Sequence, residues 1–342
     1  MRRAALLTPL AAAMLGAAAH AADAPVRESA YAFASRIDVI AAHPDRDAAE
    51  RAIGEIFAEM RRLDRDYHAW NDSALTRANA AVAAGSLPHP VSAELELLIR
   101  LSAEANSLTN GLFDPSLGKL FAMWGFHSDE PSGRKAPLEE IDALLRDPPS
   151  MGSIAVREGR IEGAHPDAQL DFGAMLKGYS LDLARETCAR AGIRNVLLDF
   201  GSTLLALGRP EEGRPWTVAV REGRQSPVVA EVRLAHGEAI GASGSAEINY
   251  VDEDGSTVSH VFSPRTGRSA ALTEFASVIC GEGCGRYPAT MADALATGIS
   301  IAGRDEAQEI AREAGVEAYM LILPGGEVVR GGKDPGRYLP AP

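Results

Sequence analysis

The apolar residues of this chain change period part-way along its 342 residues, and that change constrains the fold more than any other feature. Early on they recur at intervals of three and four. Residues 48–63 carry Ala49, Ile53, Ile56, Phe57, Met60 and Leu63 at that spacing, which predicts an amphipathic helix. A second helix is expected from Ser92, an N-cap residue type, with Leu95, Leu98, Ile99 and Ala105 on one face. The intervening 64–79 is polar and aromatic and reads as a loop leading into a short helical turn. A third helix is expected over 178–191, stopped by Gly192. From there the runs are short and β-type: 196–200, 216–220, 228–234, 248–251 and 257–262, with Asp254-Gly255 as a hairpin turn between the last two. Helices return over 291–301 and 306–314, and 318–323 and 328–330 flank Pro324-Gly325-Gly326 as a final hairpin. Helices and strands come in separate blocks rather than in alternation. That order predicts an α+β fold with antiparallel sheets and packed helices.

The first 21 residues read as a leader. Arg2 and Arg3 precede an Ala/Leu-rich run, and Ala19-His20-Ala21 is an A-x-A cleavage signal. The run is too short for a spanning helix and Pro9 interrupts it, so cleavage after Ala21 and a soluble periplasmic product are expected. No linker divides residues 22–342, which are expected to form a single domain. A chain with 46% hydrophobic and 24% charged residues is not a disordered one. Its net charge of −13 argues against nucleic acid or an anionic membrane as partner, because both need Lys and Arg in excess. In an oxidising compartment Cys280 and Cys284 are expected to close a small disulfide loop, and Cys188 reads as a buried apolar residue.

Three stretches carry candidate chemistry. In 171–182 a glycine-containing turn enters a helix, where free N–H groups and Lys177 favour an anion; a plain loop with a solvated Lys has the same pattern. In 259–267, His260 ends a predicted strand before Pro264-Arg265-Thr266-Gly267, and can serve as a base, bind phosphate or be structural. Arg265 can bind phosphate or pair with a carboxylate. In 290–298, Asp293 and Thr297 are four apart on one helical face and offer hard oxygens of the kind Mg²⁺ takes, although Asp also suits a first helical turn by dipole alone.

In order and combination these stretches resemble the ApbE-type FAD:protein FMN transferases, which attach FMN to a Thr or Ser of a target protein. The resemblance runs through Asp72-Ser73-Ala74-Leu75 with Asn79, Gly111-Leu112-Phe113-Asp114-Pro115, and Trp124-Gly125. It continues through Asp171 with Lys177-Gly178, His260 with Pro264 to Gly267, and Ala292-Asp293 with Thr297. It implies an FAD cleft, with the flavin end near Phe113 and Asp114 and the phosphates near Ala174 and Lys177. It also implies Mg²⁺ held by the Asp293 carboxylate, the Thr297 hydroxyl and the Leu176 carbonyl. FAD is then the substrate, a redox protein with an acceptor Thr or Ser the partner, AMP the leaving group, and His260 the base or phosphate-positioning residue.

The chain departs from the family pattern at several positions. Ser263 replaces the usual Asp, Ser243-Gly244-Ser245-Ala246 lacks an aromatic, and Gly201-Ser202 replaces a Gly pair. Leu176 replaces Ala, and no Met-Gly-Thr is recognisable near 28–34. A non-catalytic flavin-binding paralogue and an FAD pyrophosphatase releasing FMN and AMP are therefore the alternative readings.

Overall fold

Asp45, Ser73 and Ser92 start three helices by the same device. Each side chain accepts from the backbone N–H three residues on, at 2.9 Å from Ala48, 3.0 Å from Thr76 and 3.0 Å from Leu95. The computed structural model describes residues 10–12, 25–128, 137–210, 214–223, 226–245, 249–251 and 255–340. In chain order the first part holds β1 (Leu10–Ala12), β2 (Val26–Ala32), β3 (Ser35–Ala42), α1 (Arg46–Asp66), α2 (Ala74–Ala83), β4 (His89–Pro90) and α3 (Ala93–Leu108). Then come α4 (Gly118–Met123), α5 (Leu138–Leu144), β5 (Ala155–Arg157), β6 (Arg160–Gly163), α6 (Leu176–Arg190), β7 (Asn195–Asp199) and β8 (Thr203–Leu207). The middle continues with β9 (Trp216–Arg221), β10 (Val228–Leu234), β11 (Ala239–Gly244), β12 (Asn249–Val251), β13 (Thr257–Ser259) and β14 (Phe275–Cys280). Last are α7 (Pro288–Glu313), β15 (Ala318–Ile322), β16 (Val328–Gly331) and β17 (Tyr338–Pro340).

The architecture is α+β in three layers. The middle layer is an eight-stranded sheet in the order β16-β15-β14-β11-β8-β7-β3-β2, antiparallel throughout. Its inner strands β7, β8, β11, β14 and β15 bury both faces, while the edge strands β2 and β16 are largely exposed. Leu204, Ile240, Phe275, Ile279 and Met320 pack with Trp216, Val218 and Val232 of the smaller sheet β1-β9-β10-β17. The alternate residues, such as Val39, Leu198, Leu205, Val278 and Leu321, pack with α1, α3, α6 and α7 in the main core. A satellite core of Leu117, Leu120, Trp124, Phe126, Val258 and Phe262 lies beside it.

Strand β10 matches its predicted range residue for residue, and α3 starts from Ser92 as expected. The two C-terminal helices form one run broken at Gly303, whose φ of 63° only glycine adopts without strain. The strand expected over 257–262 stops at Ser259, so His260 follows it rather than lying in it. The loop expected over 64–79 is shorter, because α1 persists to Asp66 and α2 begins at Ala74. Strands β2, β3, β8, β11 and β14 have no counterpart among the expected elements. Cys280 and Cys284 are bridged, and burial pushes the thiol of the free Cys188 up to about 12.

Within the stretch read as a leader, Leu10–Ala12 pairs antiparallel with β9. The rest of 1–21, the expected cleavage site and Ala246 lie outside the described residues. Among the described residues no helix is long and apolar enough to cross a membrane.

Candidate active site

Helix α7 begins without a side-chain cap of its own, with Tyr287 before it and Pro288 in its first turn. Asp182 of α6 provides the cap from across the helix pair. Its Oδ2 accepts from the Thr290 N–H at 2.9 Å and from the Thr290 hydroxyl at 2.7 Å. Burial raises the Asp182 carboxyl to about 6, against the pull of those donors.

Three glycines let other elements close on α7. A Cβ on Gly178 would overlap the Ala289 carbonyl, one on Gly241 the Ala292 carbonyl, and one on Gly298 the Thr109 side chain. The start of α6, strand β11 and the turn after α3 therefore meet around 289–298. Asp293, only 4% exposed, lies at that meeting point. Its Oδ2 accepts from the Gly178 N–H at 2.9 Å, and its Oδ1 accepts from the Thr203 hydroxyl at 2.7 Å. Burial raises this carboxyl above its ordinary range, while the Lys177 ammonium and the two hydrogen bonds oppose that shift.

The structure thus brings Lys177 and the 176–178 turn to Asp293. Leu176 is buried and its carbonyl accepts from the Ser180 hydroxyl at 2.8 Å. Thr297 lies four residues along α7 from Asp293 and is half-buried, and Gly298 beside it abuts Thr109 and Phe113. Among the described residues no three His, Cys, Asp or Glu gather as a metal cluster, so a cation here would rest on one carboxylate and neutral oxygens. That donor set fits Mg²⁺, which binds through one or two carboxylates and keeps water or phosphate in the rest of its shell. A buried carboxylate whose hydrogen bonds come from neutral donors also favours a nearby positive charge.

The remaining expected residues shape the surroundings. Phe113 is 3% exposed and lies in the main core, with its N–H donating to Thr109 Oγ1 at 3.0 Å and its carbonyl accepting from Asn106 at 2.8 Å. Asp114 accepts from the Ser116 hydroxyl at 2.6 Å and N–H at 3.0 Å, and burial raises its carboxyl above the ordinary value. Both therefore hold the 109–117 turn in shape. Ala174 is exposed, and the Gly173 N–H before it donates to Asp171 Oδ1 at 2.8 Å. Asn79 grips Leu170 reciprocally, at 2.9 Å to its carbonyl and 2.8 Å from its N–H. His260 is half-buried directly after β13. Of its two alternatives Arg265 takes the carboxylate, meeting Glu306 at 2.6 and 2.9 Å. The turn around Ser263 is fixed by the Gly267 N–H donating to its carbonyl at 2.8 Å, and Trp124 Nε1 donates to the Gly267 carbonyl at 2.8 Å.

Sequence reasoning missed Thr203, Asp182 and His127. Thr203 left a partial signal, a hydroxyl alternating with Leu205 and Leu207, but 203–207 is not among the expected strands. Asp182 had one too, as a carboxylate amid buried residues of α6. His127, with Nε2 3.0 Å from Asp171 Oδ2 and its ring stacked on Trp70 at 5.5 Å, had none.

The family model described as the ApbE family matches residues 33–320. An FAD:protein FMN transferase of Rhodobacter capsulatus is 34% identical over 333 residues, covering 96% of this chain and 62% of that protein. The chain thus spans less than two thirds of that relative's length. An FAD:protein FMN transferase of Klebsiella pneumoniae is 30% identical, covering 85% of this chain and 81% of its own. The fold is similar to that of the crystallised ApbE protein of Thermotoga maritima, with a TM-score of 0.80 at 23% identity over 92% of this chain and 99% of that one. Pseudomonas stutzeri flavinyl transferase ApbE, in its apo form, gives 0.77 at 22% identity over 94% and 98%.

Proposed function

The chain belongs to the ApbE family, and from that membership we propose that it is an exported, Mg²⁺-dependent FAD:protein FMN transferase. The observation that carries this reading is the Asp293 carboxylate, buried between the Gly178 N–H and the Thr203 hydroxyl and beside Lys177. The names of the two relatives and the match of the motif order support it.

Asp293, the Leu176 carbonyl and the Thr297 hydroxyl would hold Mg²⁺, and Lys177 would lie against the diphosphate of FAD. When bound, the ion supplies polarisation of the phosphoryl oxygens, worth several kcal/mol in such sites. The acceptor hydroxyl of the target forms a bond to the phosphorus that carries riboflavin. The bond from that phosphorus to the bridging oxygen breaks, and its electron pair leaves with AMP. His260 takes the hydroxyl proton or aligns the phosphate, and positioned acid–base groups contribute roughly 10²–10⁴-fold. The target is a redox protein with an accessible Thr or Ser.

The test is incubation of purified protein with FAD, Mg²⁺ and Thr-containing targets, followed by mass measurement of target and nucleotide. Transfer gives a target heavier by one FMN together with AMP. FMN and AMP without target labelling would instead identify a pyrophosphatase, and bound, uncleaved FAD a binding paralogue. For export the expected native N-terminus is Ala22 without lipid, and N-terminal sequencing that begins at Met1 would overturn it.

A further inference from the structure

Thr203 is the first residue of β8 and is fully buried. The turn before it is built to hold it in place. Gly201, at φ 83°, donates its N–H to Asp199 Oδ1 at 3.0 Å, and Phe200 donates to the Thr203 carbonyl at 2.9 Å. On the next strand the Ala242 N–H donates to the Ser202 carbonyl at 2.8 Å. Thr203 lies opposite Gly241 in the β8–β11 register, so the two share the face of the sheet that meets α7. A Cβ on Gly241 would overlap the Ala292 carbonyl. The missing side chain lets α7 sit close enough for Thr203 Oγ1 to donate to Asp293 Oδ1 at 2.7 Å.

The second Asp293 oxygen is fixed by the Gly178 N–H at 2.9 Å. Two neutral donors, one from a strand start and one from a helix start, thus set the plane of the carboxylate. Each takes one lone pair of its oxygen and leaves the other. A hydroxyl here has no packing advantage over the Leu residues that follow it on the same face. Its contribution is orientation.

We propose that Thr203 is a positioning residue, which holds the Asp293 carboxylate in the orientation that presents its remaining lone pairs to a divalent cation. The proposal rests on the reading that Asp293 binds the ion. Without the Thr203 hydroxyl, Oδ1 loses its partner and the carboxylate can turn about its terminal torsion, which is broad. Removing the outer partner of a metal ligand weakens metal binding by roughly 10–100-fold.

The experiment measures Mn²⁺ binding by loss of the free-ion paramagnetic resonance signal, using the full protein with ADP as the diphosphate. Parent, Thr203→Val, Thr203→Ser and Asp293→Asn are compared, and thermal unfolding is recorded for each. Thr203→Val keeps the shape and removes the donor. It is expected to weaken Mn²⁺ binding by about 10-fold or more, and to raise the Mg²⁺ concentration for half-maximal FAD turnover in parallel. Thr203→Ser restores the donor and is expected to escape most of that loss and bind close to the parent. If Thr203→Val does not fold, Thr203→Ala against Thr203→Ser makes the same comparison. Parent-like Mn²⁺ binding by the hydroxyl-free variant, with Asp293→Asn weakened, overturns the proposal and leaves the metal reading standing. So does weakened binding that Ser fails to restore, since packing alone then explains it. Parent-like binding by Asp293→Asn overturns the metal reading itself.

Discussion

Asp182 Oδ2 sits 2.7 Å from the Thr290 hydroxyl and 2.9 Å from the Thr290 N–H, so a carboxylate of one helix closes the start of another. This contact fixes α7 against α6 in the stretch that carries Gly178 and Asp293. Replacing Asp182 with Ala leaves buried donors without an acceptor, at a cost of about 1–3 kcal/mol. Asp182→Asn retains an acceptor and is expected to lose less. Thermal unfolding of both variants checks the order, and equal losses would contradict the cap.

Stability should depend on pH through Asp199. Burial, reinforced by Asp38, raises its carboxyl from the ordinary 3.8 to about 8, while the Gly201 N–H and Arg36 oppose the shift. Between those values the native protein holds a proton that the unfolded chain has lost. Its contribution is therefore fully present below 3.8 and is lost as pH rises through about 8. Asp182 acts in the same direction between 3.8 and about 6. Asp199→Asn keeps an acceptor for Gly201 and removes the titration. Urea midpoints at about pH 5 and about pH 9 should show the variant gaining on the parent at the higher pH, and a constant difference would refute the assignment.

Arg265 and Glu306 form an exposed bidentate pair at 2.6 and 2.9 Å. Such pairs contribute roughly 0.2–1 kcal/mol. Arg265→Ala should therefore lower stability by no more than about that, and leave the KM for FAD nearly unchanged. A large rise in that KM would return Arg265 to the phosphate-binding role its sequence position also allows.

Much of this fold is legible where one face of an element meets solvent or a cap residue marks its start. Residues 48–63 show helical spacing because α1 is exposed on its outer side, and Ser92 marks α3. Strands β11 and β14 are buried on both faces, so they show no alternation, and the Ala-Ile-Gly-Ala-Ser-Gly of β11 has low strand propensity besides. Gly241 is small because α7 touches it, a reason visible only when the two elements are placed together. The Asp293 and Lys177 stretches could be picked out singly. That Thr203 joins them depends on register between β8 and β11, which one sequence does not reveal.

If Asp293 serves a cation required for FAD cleavage and FMN transfer, as proposed, turnover must need both the ion and the carboxylate. The direct measurement is FAD turnover with and without Mg²⁺ in parent and Asp293→Asn proteins, following AMP release and target mass together, with thermal unfolding recorded alongside. Asn keeps the side-chain volume and an acceptor for Thr203 but removes the charge, so the ligand-free protein is expected to stay folded with some loss from the Gly178 contact. AMP and FMN-labelled target are expected in equal amounts from the parent with Mg²⁺, and neither from the variant. Turnover of FAD by Asp293→Asn at the parent rate would contradict that role for Asp293.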